Sequence, residues 1–229
     1  VNLRWDKCFG EGTGAVHRTF ACDTNVGTQL VVGSFVLGTG ANQVSHLDTI
    51  VDLASSGAIL PAWWEVMNPG ACRAVSLGLN SVADPANTVC EDWGQGLASG
   101  GVTAYLIGAR GANTARILLS VSVPPSGLQS LVTGLEYFSF NLTLNNSGTV
   151  GAGACGGCTA GVCIVLNSLD VMSEVAGQSR KLTAPSNGTD SNFVTWQGGG
   201  NPSVGTITGC PAATPTRATT WGAVKRLYR

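Results

Sequence analysis

The chain has little charge of either sign. Asp, Glu, Lys and Arg make up 11% of its 229 residues, against roughly 25% in ordinary soluble domains. The net charge is −1 and the basic residues stand singly, so nucleic-acid binding is not expected. So few charges leave much of the surface to be covered by other means. The three covers that we consider are uncharged polar surface made of Ser, Thr, Asn and Gly, glycans, and neighbouring subunits.

Motifs of catalysis and cofactor binding are also missing. The chain has two histidines, His17 and His46, and no Gly-x-Ser-x-Gly sequence, so a serine hydrolase is not indicated. The single Cys-x-x-Cys, Cys155 to Cys158, is followed by Thr159 rather than the histidine of a haem site, and it has no second pair for zinc. We therefore expect no enzyme activity, no cofactor and no metal. No apolar run reaches the roughly 18 residues of a membrane span.

In contrast to charged residues, cysteines are numerous in this chain. Eight cysteines, with few lysines beside them, predict a disulfide framework and a protein secreted to the cell surface or the extracellular space. The connectivity is open at this point; local loop closure ranks first the pairs Cys8–Cys22, Cys72–Cys90, Cys155–Cys163 and Cys158–Cys210.

Glycine, with 32 residues, separates short runs rich in Val, Ile, Leu, Thr and Phe, which is typical of an all-β fold. The alternation predicts that Leu47, Val51 and Leu53 face the core while Asp48 and Asp52 face away. The same period places further residues inward: Ala115, Ile117, Leu119, Val121, Val123, Phe138, Phe140, Leu142 and Leu144. The predicted strands span residues 30–37, 46–54, 63–67, 101–107, 115–123, 137–144, 162–172, 193–196 and 204–208.

These strands predict one domain over residues 1–229, a two-sheet β-sandwich of the Ig-like or jelly-roll kind with glycine-rich loops. One short helix is expected at the C-terminus. Thr219 or Thr220 would cap it, and its apolar stripe would contain Trp221, Val224, Leu227 and Tyr228.

Three groups of residues are candidates for binding or modification. Asp48 and Asp52 share a strand face, as a pair of glycosidase carboxylates would. Trp63 and Trp64 are candidate platforms for a sugar ring. The sequons at Asn141, Asn145 and Asn187 are candidate glycosylation sites.

Several motifs have a distinctive composition and spacing. They are NLRWDKCFG at 2–10, FACDTN at 20–25, LPAWW at 60–64, CIVLN at 163–167 and TWGAVKRLYR at 220–229. Together they resemble a group of secreted, uncharacterised bacterial proteins. The resemblance implies an exported, disulfide-bonded β protein and no catalytic activity.

The leading functional hypothesis is a structural subunit of an extracellular bacterial filament or pilus-like assembly, whose partners are copies of itself and, in second place, glycans. Polymers would grow by head-to-tail contacts, with an N-terminal strand completing a neighbour's sheet. A monomeric carbohydrate-binding or adhesin module and a secreted hydrolase are the alternatives. The candidate subunit contacts are Val1, Leu3, Trp5, Trp221, Leu227 and Tyr228.

Overall fold

The computed structural model describes residues 1–83, 89–186 and 191–199. Within these ranges thirteen strands form two sheets that pack face to face, and the helical segments are three short 3-10 turns. The predicted all-β sandwich is therefore confirmed. The predicted strand at 204–208 and the predicted C-terminal helix lie outside the described residues.

The smaller sheet has five strands. Four follow the order β1-β3-β10-β5, and β6 pairs in parallel with β10. Because β5 and β6 both pair with β10, they form one edge of this sheet together, and β1 forms the other. The bounds are β1 (Asn2–Trp5), β3 (Thr28–Val36), β5 (Leu77–Asn80), β6 (Glu91–Asp92) and β10 (Glu136–Asn145).

The larger sheet has eight strands, six of them in the order β2-β13-β11-β4-β8-β7. Two short strands extend it, β12 beside β11 and β9 beside β4. The bounds are β2 (His17–Arg18), β4 (Ala41–Ser55), β7 (Ser99–Ile107), β8 (Thr114–Ser122), β9 (Gln129–Leu131), β11 (Val162–Ser173), β12 (Arg180–Leu182) and β13 (Phe193–Trp196).

In β4 and β8 of this sheet, successive side chains alternate between the core and the outer face. Leu47, Val51 and Leu53 of β4 are buried in the main core between the sheets. Asp48, which alternates with them, is exposed on the outer face. All five residues predicted inward near β8 also join the core: Ala115, Ile117, Leu119, Val121 and Val123. Side-chain alternation alone therefore predicts these faces correctly.

Strand β10 departs from simple alternation. Its register with β3 shifts between Phe138 and Phe140, which marks a bulge at Ser139. Phe140 faces the main core, but Phe138 packs in a separate cluster with Val32 and the Cys8–Cys90 disulfide. The prediction that Phe138 faces inward with Phe140 is therefore wrong, because the extra residue reverses the facing of the strand.

Gly33 of β3 makes room for the ring of Phe140. A methyl group added at Gly33 would overlap that ring. We expect Gly33→Ala to lower the free energy of unfolding by about 1–3 kcal/mol through overpacking, measured by urea denaturation. Gly101→Ala is the matched control, because a methyl group at Gly101 in β7 meets no atom within 4 Å. Equal stability of the two variants would contradict this packing.

Disulfides join segments that are distant in the sequence. The pairs are Cys8–Cys90, Cys22–Cys158 and Cys72–Cys155, with sequence separations of 82, 136 and 83. Cys163 is also disulfide-bonded, and Cys210 lies outside the described residues. The predicted pairs Cys8–Cys22, Cys72–Cys90, Cys155–Cys163 and Cys158–Cys210 are all wrong. Local loop closure is a poor guide here because the sandwich places loops that are distant in the sequence next to one another.

Residues predicted as a strand at 63–67 instead begin with a 3-10 turn over Ala62–Trp64. Pro61 precedes the turn in an extended conformation, and its carbonyl accepts the Trp64 N–H at 2.9 Å. The turn directs Trp63 and Trp64 into the core together. The strand prediction fails because the ring of Pro61 favours a turn start at this point.

Candidate functional site

One side of the sandwich has free strand edges. Strands β5 and β6 end the smaller sheet there, and β7 ends the larger sheet beside them without sharing a ladder with β5. We call the edge formed by β5, β6 and β7 the open side. Among the described residues, no backbone hydrogen bond joins β7 to anything except β8. The N–H and C=O groups on the outer edge of β7 therefore have no backbone partner within the described part of the chain.

Strand β7 lacks two of the features that often protect an edge, charged side chains and proline. Its sequence, SGGVTAYLI, contains no charged residue and no proline over nine residues. A register shift between Val102 and Ala104 is its one irregularity. Large apolar side chains are exposed near all three strands. Val75 lies just before β5, Val89 just before β6 and Leu97 just before β7, and Leu106 and Ile107 are the last two residues of β7. A long apolar edge of this kind favours pairing with another chain.

A cleft of about 520 Å³ lies on the same side. Glu91, Asp92 and Gln95 line it together with Val82 and Val89. The carboxylate of Asp92 accepts the backbone N–H groups of Gly94 and Gly96 at 3.0 and 2.8 Å, so both of its oxygens hold the loop before β7. No group of three or more metal-ligating side chains occurs in the described ranges.

The opposite side of the sandwich is closed by β1. The Leu3 N–H donates to the Ser191 carbonyl at 2.7 Å, and the Trp5 indole N–H donates to the Thr195 carbonyl at 3.1 Å. Val1, Leu3 and Trp5 are at most 2% exposed. These three candidate subunit contacts are therefore corrected: β1 completes its own sheet against β3, and its side chains are buried in this chain. Trp221, Leu227 and Tyr228 lie beyond the described part of the chain.

The predicted carboxylate pair does not form a catalytic site. Asp52 is 1% exposed, and Arg116 holds it through two hydrogen bonds of 2.7 and 2.8 Å. Arg110 adds a bond at 3.0 Å and Asn167 a fourth. Asp48 is exposed and pairs with His46 at 2.9 Å. Because both oxygens of Asp52 are occupied, the Asp48/Asp52 hypothesis loses its second carboxylate.

The Asp52 cluster joins β4, β8, β11 and the β7–β8 turn. We expect Asp52→Asn to lower the free energy of unfolding by roughly 1–3 kcal/mol, since two arginines lose a charged acceptor. Asp48→Asn is the control on the same strand face, with an expected change below about 1 kcal/mol because its ion pair is exposed. Thermal unfolding of both variants measures the difference. An equal loss in the two would contradict a structural role for the cluster.

The predicted sugar platform is also buried. Trp63 and Trp64 are both fully inaccessible, so neither presents a face to solvent. Arg73, itself buried, stacks its guanidinium on Trp63 at 3.4 Å from the ring centre and donates to the Trp63 carbonyl at 2.9 Å. Burial lowers the pKa of Arg73 to about 10. Nothing in the sequence around Arg73 indicates a buried cation, because no acidic residue stands beside it in the chain.

Strand β7 is fixed to the buried Trp63-Trp64 segment. The Tyr105 hydroxyl donates to the Trp64 carbonyl. Burial, reinforced by the charge of Glu65, raises the pKa of Tyr105. Tyr105 thus anchors the free edge strand to the core, while its neighbours Leu106 and Ile107 remain exposed. The lack of charge and proline does not single out β7 in the sequence, because residues 137–169 form a longer run without either.

The sequons have different environments. Asn141 is 5% exposed on β10, so its proposed glycosylation is corrected: a buried amide has no room for a glycan. Asn145 is half-buried, and its side chain donates to the Val75 carbonyl at 3.3 Å. Asn187 lies outside the ranges that the structure describes.

Comparison of the chain with known protein families, curated proteins and solved structures found no match. The resemblance to secreted bacterial proteins therefore stays a prediction. The described residues include no helix of the length and apolarity needed to cross a membrane.

Proposed function

We propose that this protein is a secreted structural subunit that assembles with copies of itself through the open side. The nine-residue edge of β7, free of charge and proline, is the observation that carries the proposal. Its unpaired backbone groups offer a strand of another copy a ready ladder of hydrogen bonds. A contact between the open side and a different face of the next copy would repeat head to tail and grow an open polymer.

Two further features support an extracellular assembly. The three disulfides between described cysteines, and the bonded state of Cys163, suit an oxidising compartment. The sparse charge of the chain, 11% of residues, suits a surface that neighbouring subunits cover. The role first considered for β1 passes to β7, since β1 is buried in its own sheet. The sugar-binding and hydrolase alternatives lose the residues on which they depended.

Charges placed on β7 test the proposal. The double variant Thr103→Glu with Leu106→Glu puts two carboxylates on exposed positions of the edge. We expect this variant to stay monomeric in sedimentation velocity at concentrations where the native protein assembles, because buried like charges would oppose pairing.

Val26→Glu with Val132→Glu is the matched control, because both valines are exposed and neither belongs to the open side. Near-UV circular dichroism checks that each variant is folded. The control should assemble like the native protein. Assembly of the edge variant at native concentrations would overturn the proposal.

A further inference from the structure

Two cysteines of one glycine-rich loop tie that loop to segments that are distant in the sequence. Cys155 and Cys158 are separated by two glycines, in a Cys-x-x-Cys arrangement. Cys155 is bonded to Cys72 and Cys158 to Cys22, and the Cα–Cα distance is 6.0 Å in both bonds. The Cys-x-x-Cys pair therefore holds two separate crosslinks in place of one local bond.

The bonded cysteines differ in their exposure to solvent. Cys72 is exposed, whereas its partner Cys155 is 5% exposed. Cys22 is half-buried, and both ends of the Cys8–Cys90 bond are at most 8% exposed. A thiolate in solution has to reach the sulfur that it attacks. Among the disulfides that join two described cysteines, Cys72 therefore offers the most accessible point of attack.

The segment that carries Cys72 has a second attachment to the core. The next residue, Arg73, is buried, and its guanidinium stacks on the Trp63 ring and donates to the Trp63 carbonyl at 2.9 Å. Its other terminal nitrogen donates to the Asn145 carbonyl. Opening the Cys72–Cys155 bond therefore leaves this segment attached to the core, so the change is local.

The sulfur of Cys22 lies beside a hydrogen-bond donor. The side-chain amide of Gln197 donates to Cys22 Sγ at 3.3 Å and to the Phe20 carbonyl at 2.5 Å. A hydrogen bond to a thiolate favours the charged form, and a sulfur that leaves easily as a thiolate is a good leaving group in disulfide exchange. Attack on Cys158 therefore expels Cys22, whose developing charge the Gln197 amide stabilises.

We propose that Cys72 is the entry point of a thiol–disulfide exchange site that takes a dithiol as its reaction partner and ends with a Cys155–Cys158 bond. In the first step a thiolate of the dithiol bonds to Cys72 Sγ, the Cys72–Cys155 bond breaks, and Cys155 leaves as a thiolate. In the second step Cys155 Sγ bonds to Cys158 Sγ, and Cys22 leaves as a thiolate.

A third step completes the reaction. The second sulfur of the dithiol loses its proton and bonds to the first sulfur, and Cys72 leaves as a thiolate. The Cys22 and Cys72 thiolates take up the two protons that the dithiol has lost. The dithiol is oxidised to a disulfide, and the protein is reduced by two electrons because one bond within the loop replaces two crosslinks. This exchange does not depend on assembly through the open side.

Partial reduction of the native full chain tests the proposal. The protein is treated with one equivalent of dithiothreitol, alkylated with N-ethylmaleimide and digested, and the peptides are identified by mass spectrometry. We expect label on Cys22 and Cys72 and a bond between Cys155 and Cys158. The Cys8–Cys90 bond is the internal control, and its cysteines should carry at least about tenfold less label because both are buried.

Three results of this experiment would overturn the proposal. Label on Cys72 and Cys155 with the Cys22–Cys158 bond intact would mean that the exposed bond is simply reduced. Label that appears first on any cysteine other than Cys72 and Cys22 would remove Cys72 as the entry point. Absence of label from every cysteine would show that the dithiol does not reach the bond.

A variant of Gln197 tests the second step. Gln197→Met keeps the length of the side chain and removes the amide donor. We expect label on Cys22 to appear roughly tenfold more slowly, as for the loss of one hydrogen bond to a charged group, with label on Cys155 in its place. The loss of the Cys72–Cys155 bond should keep its rate.

Gln95→Met is the matched control for Gln197→Met. Gln95 also has a left-handed φ, 49° against 52° for Gln197, and its side chain is exposed. This control should release Cys22 at the native rate. Equal rates of Cys22 labelling in the two variants would overturn the second step as written.

Discussion

Replacing Trp63 by alanine should lower the free energy of unfolding by about 3–5 kcal/mol. Trp63 is fully buried in a cluster of aromatic side chains between the sheets. Its ring stacks on Trp196 at 5.0 Å and meets the edge of Trp64 at the same centroid distance. Its indole N–H donates to the Thr149 hydroxyl at 3.0 Å. The Arg73 guanidinium stacks on its ring at 3.4 Å from the ring centre. Alanine would leave a large cavity and deprive a buried cation of its aromatic partner.

Trp63→Phe separates the two contributions. Phenylalanine keeps an aromatic face for Arg73 and loses the bond to Thr149, so a loss of about 1–2 kcal/mol is expected for this variant. Urea denaturation monitored by tryptophan fluorescence measures both changes. Domains have total stabilities of about 5–15 kcal/mol, so Trp63→Ala should leave a marginal fold. A change below about 1 kcal/mol in the free energy of unfolding of Trp63→Ala would contradict the large packing contribution assigned to this side chain.

Removing the Cys22–Cys158 disulfide should cost a similar amount. The bond closes a sequence separation of 136, the longest among the three disulfides that join two described cysteines. In the loop-entropy account, a crosslink over such a loop stabilises the native state by about 4–5 kcal/mol, because it restricts the unfolded chain. We expect Cys22→Ser with Cys158→Ser to shift the urea midpoint accordingly. The other two crosslinks shorten the effective loop, so the upper end of the range is a ceiling.

Reduction provides the control for this comparison. After all disulfides are reduced, the native sequence and the double serine variant should have nearly equal stability, because the crosslink that distinguishes them has gone. Equal stability of the two proteins before reduction would contradict the prediction. It would mean that the loops around Cys22 and Cys158 are held in place without the bond. The bonds from Gln197 to the Phe20 carbonyl and from Trp196 to the Cys158 carbonyl would be the contacts responsible.

The sequence predicts most of the sheets because alternation is a local property. Leu47 and Val51 alternate with Asp48 and Asp52 whatever the distant parts of the chain do. The bulge at Ser139 breaks that rule, since one inserted residue exchanges the faces of β10 and leaves no trace in composition. The run Trp63-Trp64 reads as a strand by residue type, yet Pro61 begins a turn there.

The candidate sites were harder to predict, because they depend on which segments meet. Loop-closure entropy varies slowly with length, so it ranks disulfide pairs weakly, and the sheets decided which cysteines were neighbours. The sequence leaves Asp52 available for catalysis. In the structure, Arg116 of β8 and Arg110 of the turn before β8 both bind its carboxylate. The free edge of β7 follows from strand order, which the strand sequences do not specify. Only its lack of charge was visible beforehand.

Negative-stain electron microscopy of the native protein, without denaturant or reductant, tests the central claim most directly. Assembly through the open side predicts regular fibres, and the variant with glutamates at Thr103 and Leu106 should not form them under the same conditions. Dispersed particles of monomer size, or closed dimers, at the highest concentration reached would contradict the account.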